Sequence, residues 1–487
     1  MRCHLLALLA ALAPATPSGA AERGPNVVLI LADDLGYGDP GCYGNKKIKT
    51  PNIDALAAEG TRFTNFYVSQ PVCTASRASL LTGCYANRVS MAGALNHQSK
   101  VGLHPDERLL PELLKAKGYA TACYGKWHLG DRPPFLPTKR GFDDFAGLPY
   151  SNDNGPLHPT MRGLPGLPFY RGTKVIERDP DQEKFTRRFT DLAIEFIGQH
   201  QHEPFFLYLP HVMPHVPIFA SPDFKGRSAG GRYGDVVEEL DAGVGEVLTA
   251  LKKYDLEKNT LVLFLSDNGP FLSYGSHAGS SGPLREGKLT AFEGGVRVPC
   301  VARWPNKVPV KHVSDEPLMT IDLLPTLCKL CGAGLPKLPI DGKDVAPVLF
   351  GEPRAMSPHP AYLFYIGDEL HAVRAGKWKL HVPHDYLTVN GTPGADGKPA
   401  NYAKMRPEAM NVSGVRGIAS RHGYKVEKSP LALYDLNRDP GEQVNVAEKN
   451  PRVVKELMKH VEAARADLGD ALTGTKGKGG RACGTSE

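Results

Sequence analysis

This chain has no run of about 20 uninterrupted apolar residues anywhere along its 487 positions, so no segment reads as a membrane-spanning helix. It has no internal repeat and no heptad pattern, which sets aside solenoids and coiled coils. It also lacks a strong charge of either sign. Its 58 Lys and Arg against 52 Asp and Glu leave +6, an excess that suits an anionic substrate but selects no partner class, and no nucleic-acid partner is expected. The nine cysteines lack the tight, even spacing of a disulfide framework. Cys328-Lys-Leu-Cys331 has redox or zinc spacing, yet it lies in a helix-like stretch, 320–332, with no second Cys or His pair beside it, so core packing is the expectation. What is present is ordinary for a globular enzyme: 41% hydrophobic and 23% charged residues argue against a mostly disordered chain.

Residues 1–21 read as a secretory signal. Arg2 is a short basic start, 5–13 is an apolar run, and Ser18-Gly-Ala-Ala21 offers small residues for cleavage, so a secreted or periplasmic protein is expected. Residues 26–32 are continuously apolar and β-branched and end in Asp33-Asp34, as a strand buried on both faces would. Similar runs at 119–124, 205–209 and 259–266 alternate with helix-like segments at 53–59, 109–117, 185–200 and 233–254. That alternation predicts an α/β fold with a large mixed, mostly parallel sheet sandwiched by helices. Beyond residue 353 shorter strands and a helix at 453–468 predict a smaller antiparallel sheet capped by a helix. The expected division is signal 1–21, catalytic domain 22–353, smaller C-terminal subdomain 354–470 and disordered tail 471–487, the last containing the Gly-rich basic run 476–481. Residues 383–430, rich in Gly, Pro and Asn, read as a long loop.

Two acidic or amide pairs, Asp33-Asp34 and Asp267-Asn268, end apolar strands and so fall at one edge of the sheet, where ligands bind in α/β folds. Either pair alone is as compatible with a turn or helix cap as with a metal. Together they are hard oxygen donors of the kind that calcium takes, with magnesium the weaker fit. A third block is Cys73-Thr-Ala-Ser-Arg77, leading into the helix-like 78–83. A lone cysteine is usually a half-buried structural thiol, but this one has company in Gly125-Lys-Trp-His-Leu-Gly130, Gly287-Lys288 and Glu293-Gly-Gly295.

These blocks, in this order, resemble those of the formylglycine-dependent type I sulfatases, in the arylsulfatase A-like branch of the alkaline phosphatase-like superfamily. The resemblance runs from Asn26 to the segment Leu433-Tyr-Asp-Leu-Asn-Arg-Asp-Pro-Gly-Glu-Gln443. It implies that Cys73 is oxidised to formylglycine (3-oxoalanine) by a formylglycine-generating maturase, and that Ca2+ is bound by Asp33, Asp34, Asp267, Asn268 and residue 73. It further implies that the hydrated aldehyde attacks sulfur, leaves a sulfated intermediate and expels sulfate through its second hydroxyl. Arg77 and Lys126 would polarise the reacting oxygens, His128 would accept the proton that lets the intermediate collapse, and His215 and Lys288 would bind sulfate and protonate the leaving oxygen. Ser151 matches a sulfate-pocket serine of this branch. His215 is preferred over His211 because Val216-Pro-Ile-Phe219 follows it. Ala75 stands where aerobic maturases favour proline, so a maturase that accepts alanine is implied.

The expected reaction is hydrolysis of the sulfate monoester of an aryl alcohol or sugar, with a sulfated small molecule or glycan as partner. Two other readings stay open: a phosphonate monoester or phosphodiester hydrolase built on the same nucleophile and metal, and a sulfated-glycan-binding protein whose Cys73 is never modified. The assembled acids, bases and nucleophile argue against the second, since binding alone needs none of them.

Overall fold

The computed structural model describes residues 23–409 and 414–486; the expected signal at 1–21 lies outside them. A ten-stranded mixed sheet organises the chain. Its five central strands, Thr260–Ser266, Asn26–Ala32, Phe205–Pro210, Ala120–Lys126 and Asp144–Leu148, are mutually parallel, and antiparallel neighbours flank them on both sides. Alternate residues of the central strands feed opposite layers. Val27, Leu29 and Leu31 join one core with the helix Cys73–Thr82, while Val28 and Ile30 join another with the helices Phe185–Gln199 and Gly231–Lys253. That two-sided burial explains why these strands read as continuous apolar runs. The register pairs Ala32 with Ser266 and Leu31 with Pro210, so Asp33, Asp267 and His211 emerge side by side at the carboxyl edge.

The C-terminal part forms a four-stranded antiparallel sheet, Tyr362–Ile366, Glu369–Ala375, Trp378–His381 and Ala432–Asp435, covered by the helix Pro451–Leu468. It shares a core with the large sheet, because Leu370, Val373, Leu380, Leu457 and Val461 belong to the same apolar cluster as Val27 and Leu29. A buried ionic network also crosses the expected boundary at 353. Glu293 accepts from Tyr67 Oη (2.7 Å) and Lys379 Nζ (2.8 Å), and Glu442 takes His381 Nε2 (2.8 Å) and the Glu293 amide (2.6 Å).

Two expectations need correcting. Residues 383–430 are not a bare loop: His384–Val389 and Tyr424–Ser429 pair as an antiparallel ribbon, and the helix Gly414–His422 packs on it. The two strands are separated by residues 390–423, so no short-range turn signal links them. The tail expected to be disordered is held in place instead. Gly484–Thr485 pairs with Val101–Gly102, and Arg481 bonds both oxygens of Glu107 (2.6 and 2.9 Å), interactions that offset the entropy a Gly-rich segment loses on ordering.

Candidate active site

The carboxyl edge of the central strands and the start of one buried helix converge on a single cavity of about 550 Å³. Cys73 is the first residue of the helix Cys73–Thr82, all of whose residues are buried. The helix follows extended Val72 and ends at Gly83 in a left-handed cap. Beside it the strand Ala120–Lys126 can reach the edge only because Gly125, at φ 134°, has no side chain. A Cβ there would lie 1.8 Å from the Pro210 carbonyl oxygen. Lys126 and His128 follow at once, the latter held at φ 63°.

The charges interlock. Lys126 Nζ lies 2.5 Å from Asp33 Oδ2, and Arg77 bonds Asp267 Oδ2 through Nε and Nη2 (3.0 and 2.8 Å) and the Lys126 carbonyl through Nη1 (2.6 Å). Lys288 Nζ bridges Asp34 Oδ1 (2.6 Å) and Cys73 Sγ (3.3 Å). Burial alone would raise Asp33, but Lys126, His215 and Arg77 outweigh it and hold the carboxylate below its usual range. Burial pushes the Cys73 thiol up to about 12 despite Lys126 and Lys288, which leaves almost no thiolate at neutral pH. Burial, reinforced by Lys126, drives His128 well below the ordinary histidine value, so its ring is neutral.

The ring protons can be placed from their partners. His128 Nε2 donates to the Leu95 carbonyl (2.7 Å), leaving Nδ1 buried with no partner. His215 Nδ1 donates to the Val216 carbonyl (2.6 Å), and its Nε2 faces Asp34 Oδ2 at 3.7 Å. His211, the rival, has both ring nitrogens buried and unpartnered and does not line the cavity. Ser151 does line it and gives its hydroxyl to Asp153 (2.5 Å).

The oxygen donors suit a hard cation. Donor atoms of Asp33, Asp34, Cys73 and His215 all lie within 4.8 Å of one another. Asp34 Oδ2 and Asn268 Oδ1 are buried with no hydrogen-bond partner, as two ligand atoms waiting for a metal would be. Asp267 is more occupied, since Oδ1 takes the Asp34 amide (3.1 Å) and Oδ2 takes Arg77. All the expected site residues therefore meet in one place. Sequence reading missed Asp153, which lines the cavity beside Ser151, and the aromatic wall of Phe271 and His422, whose rings lie 4.9 Å apart. Asp153 stands two residues beyond Ser151, where its proximity was a signal; His422 came from the segment read as loop.

A family model described as Sulfatase matches residues 25–333, and one described as the C-terminal region of aryl-sulfatase matches 357–478. The chain belongs to the sulfatase family. Arylsulfatase A of Homo sapiens is 40% identical over 501 residues, covering 97% of this chain and 92% of the relative. N-acetylgalactosamine-6-sulfatase of Canis lupus familiaris is 38% identical over 448 residues, covering 87% and 82%. Among solved structures, a sulfatase from Pseudoalteromonas sp. superimposes with a TM-score of 0.75 at 27% identity, over 91% of each chain. This sulfatase is accordingly a sulfuric ester hydrolase on an alkaline phosphatase-like fold, and the resemblance read from its motifs holds across both parts of the chain. Among the described residues no helix is long and apolar enough to cross a membrane.

Proposed function

We propose that this sulfatase hydrolyses sulfate monoesters of aryl or sugar alcohols with formylglycine, made from Cys73 by a maturase that accepts Ala75, as its nucleophile. A calcium ion would be held by Asp33, Asp34, Asp267, Asn268 and residue 73. The observation that carries this reading is the convergence on Cys73: a buried lysine at 3.3 Å, two orphaned oxygen donors on Asp34 and Asn268, and two histidines with opposite ring protonation. When bound, the ion supplies Lewis-acid stabilisation of developing negative charge, and the aldehyde hydrate supplies both an attacking hydroxyl and a second one that releases sulfate.

The chain's own groups do the rest. Three carboxylates, Asp33, Asp34 and Asp267, are met by the three cations Arg77, Lys126 and Lys288, so a divalent ion leaves the centre net positive for an anionic ester. Lys126 and Arg77 fix the carboxylates and polarise oxygens at position 73. Lys288 holds the sulfate end, with Ser151 lining the pocket beside it. His128 takes up a proton at its free Nδ1, and His215, when charged, delivers one from Nε2 to the departing alcohol. The segment 1–21 supports export to a periplasm or beyond, the compartment we assign to the mature enzyme.

The test uses enzyme produced together with an alanine-tolerant maturase. It should hydrolyse 4-nitrophenyl sulfate, lose turnover on chelation and regain it with calcium, while Asp267→Ala falls below about 1% of wild type. Efficient cleavage of an aryl phosphodiester with none of the sulfate would shift the reading to a phosphorus ester hydrolase.

A further inference from the structure

The walls of the cavity carry carboxylates of their own beside the floor. Beyond Cys73, His128, His215 and Lys288, the ionisable lining includes Asp153, Asp368, Glu369 and Arg421. Asp153 is buried; its Oδ1 accepts from Ser151 Oγ (2.5 Å) and Asn154 Nδ2 (3.0 Å), and it faces His215, His158, His422 and Arg421, which outweigh its burial and hold the carboxyl well below the usual range. Asp368 and Glu369 sit at the tip of the hairpin between Tyr362–Ile366 and Glu369–Ala375, which the C-terminal sheet extends to the rim of the cavity. Gln70 and Asn87 anchor that tip by donating to the Gly367 carbonyl, each at 3.0 Å. Asp368 Oδ1 takes only an amide, Asn87 Nδ2 (3.3 Å). Glu369 Oε2 takes His371 Nε2 (2.9 Å), a ring that burial holds neutral. Among the described residues neither Asp368 nor Glu369 has a Lys or Arg ion-pair partner, and Arg421, which gives Nη1 to the Ala409 carbonyl (2.9 Å), is the one Lys or Arg on these walls.

We propose that the leaving-group side of this cavity selects sugar monosulfates whose alcohol portion bears no second anionic group, with Asp153, Asp368 and Glu369 as the specificity determinants. This rests on the sulfatase reading of the floor. Sugar hydroxyls and amide N–H groups are donors, and carboxylates oriented into a cavity accept from them. The carboxylate of a uronate or a second sulfate group offers only acceptors at that point and sets a like charge beside buried Asp153 and half-buried Glu369. Phe271, whose ring is shared with Lys288 Nζ (4.7 Å) and stacked on Tyr424, lines the cavity together with Val415 and Ile418, which supply apolar wall for the C–H side of a pyranose. The volume fits a compact ligand and is within the range that encloses most of a small molecule's surface.

The experiment takes mature enzyme and measures kcat/KM on a panel of hexose and N-acetylhexosamine monosulfates, each paired with its disulfated counterpart, beside 4-nitrophenyl sulfate. The best monosulfate should exceed its disulfated partner by at least about tenfold, and Asp368→Asn/Glu369→Gln should shrink that ratio by about threefold or more. Asp153→Asn, made separately, should shrink it too, so the result does not hang on one variant folding. A disulfated or uronate-bearing ester as the best wild-type substrate overturns the proposal. So does an unchanged ratio in folded variants, or turnover of 4-nitrophenyl sulfate with no sugar sulfate cleaved. If neither sugar nor aryl sulfate is cleaved, the reading of the floor falls, and the proposal with it.

Discussion

His128 and His215 line the same cavity with their ring protons on opposite nitrogens, and in the proposed mechanism that difference would place them in different steps. His128 has a lone pair at Nδ1 and is neutral, as a base must be; His215 has Nε2 turned to the cavity beside the Asp34 carboxylate. His215→Ala should therefore cost roughly 100-fold on a sugar sulfate, whose alkoxide leaves poorly, and no more than about tenfold on 4-nitrophenyl sulfate. Equal losses on both esters would remove its role as general acid. A second prediction concerns rings outside the site. His371 and His381 of the C-terminal sheet flank His384, which opens the ribbon, in a stack of rings, and burial pushes His384 down to about 3, helped by His371. A histidine whose pKa is lower folded than unfolded binds fewer protons when folded, so its contribution to stability is lost as pH falls below about 6.5 toward 3. Chemical denaturation at pH 7 and pH 5 should show the stability difference shifting toward His384→Phe by roughly 2 kcal/mol. A pH-independent difference would mean that the ring binds protons in the fold as it does in the unfolded chain. Most site residues were legible because each sits in a short contiguous block that ends a strand or opens a helix. Glu369 was not, because its place at the cavity comes from two distant segments meeting, which no local spacing records, whereas Asp153 had a local signal in its neighbour Ser151.

At the level of elements, the long apolar strands and the amphipathic helices were read within a few residues of their observed limits, since two-sided or one-sided burial imposes a period on the sequence. The ribbon His384–Val389 with Tyr424–Ser429 escaped because its partners are far apart in sequence and its apolar residues, such as Leu387 and Tyr424, find their core in the catalytic domain. The C-terminal strap escaped for a related reason: its order comes from the surface it crosses. Arg481 ties it to Glu107, the Arg481 amide bonds the Arg88 carbonyl (2.6 Å), and the Ser486 amide bonds the Lys100 carbonyl (3.0 Å). The strap thus clasps both ends of the loop that carries Leu95, whose carbonyl fixes the His128 proton, and Gly93, whose carbonyl accepts from the Ala75 amide (3.2 Å). Deleting residues 471–487, or the milder Arg481→Ala, should lower kcat by about fivefold or more and broaden the basic side of its pH profile while circular dichroism stays native. Unchanged kcat in the deletion would make the strap a passive covering.

Across the whole molecule, the two apolar layers and the shared C-terminal core hold one edge of a parallel sheet rigid enough to keep Asp33, Asp267, Lys126 and residue 73 in register. The buried Glu293, Lys379 and Glu442 network locks the smaller sheet to that scaffold, which brings the acidic hairpin tip to the cavity rim. All of this positions a side chain that, as a thiol pushed up to about 12, is a poor nucleophile. The central claim is therefore tested most directly at that atom. Mass spectrometry of the proteolytic peptide containing position 73, from protein made with and without an alanine-tolerant maturase, should show aldehyde in place of thiol, with the converted fraction tracking specific activity on 4-nitrophenyl sulfate across preparations. Full specific activity in protein whose Cys73 is wholly thiol would contradict it.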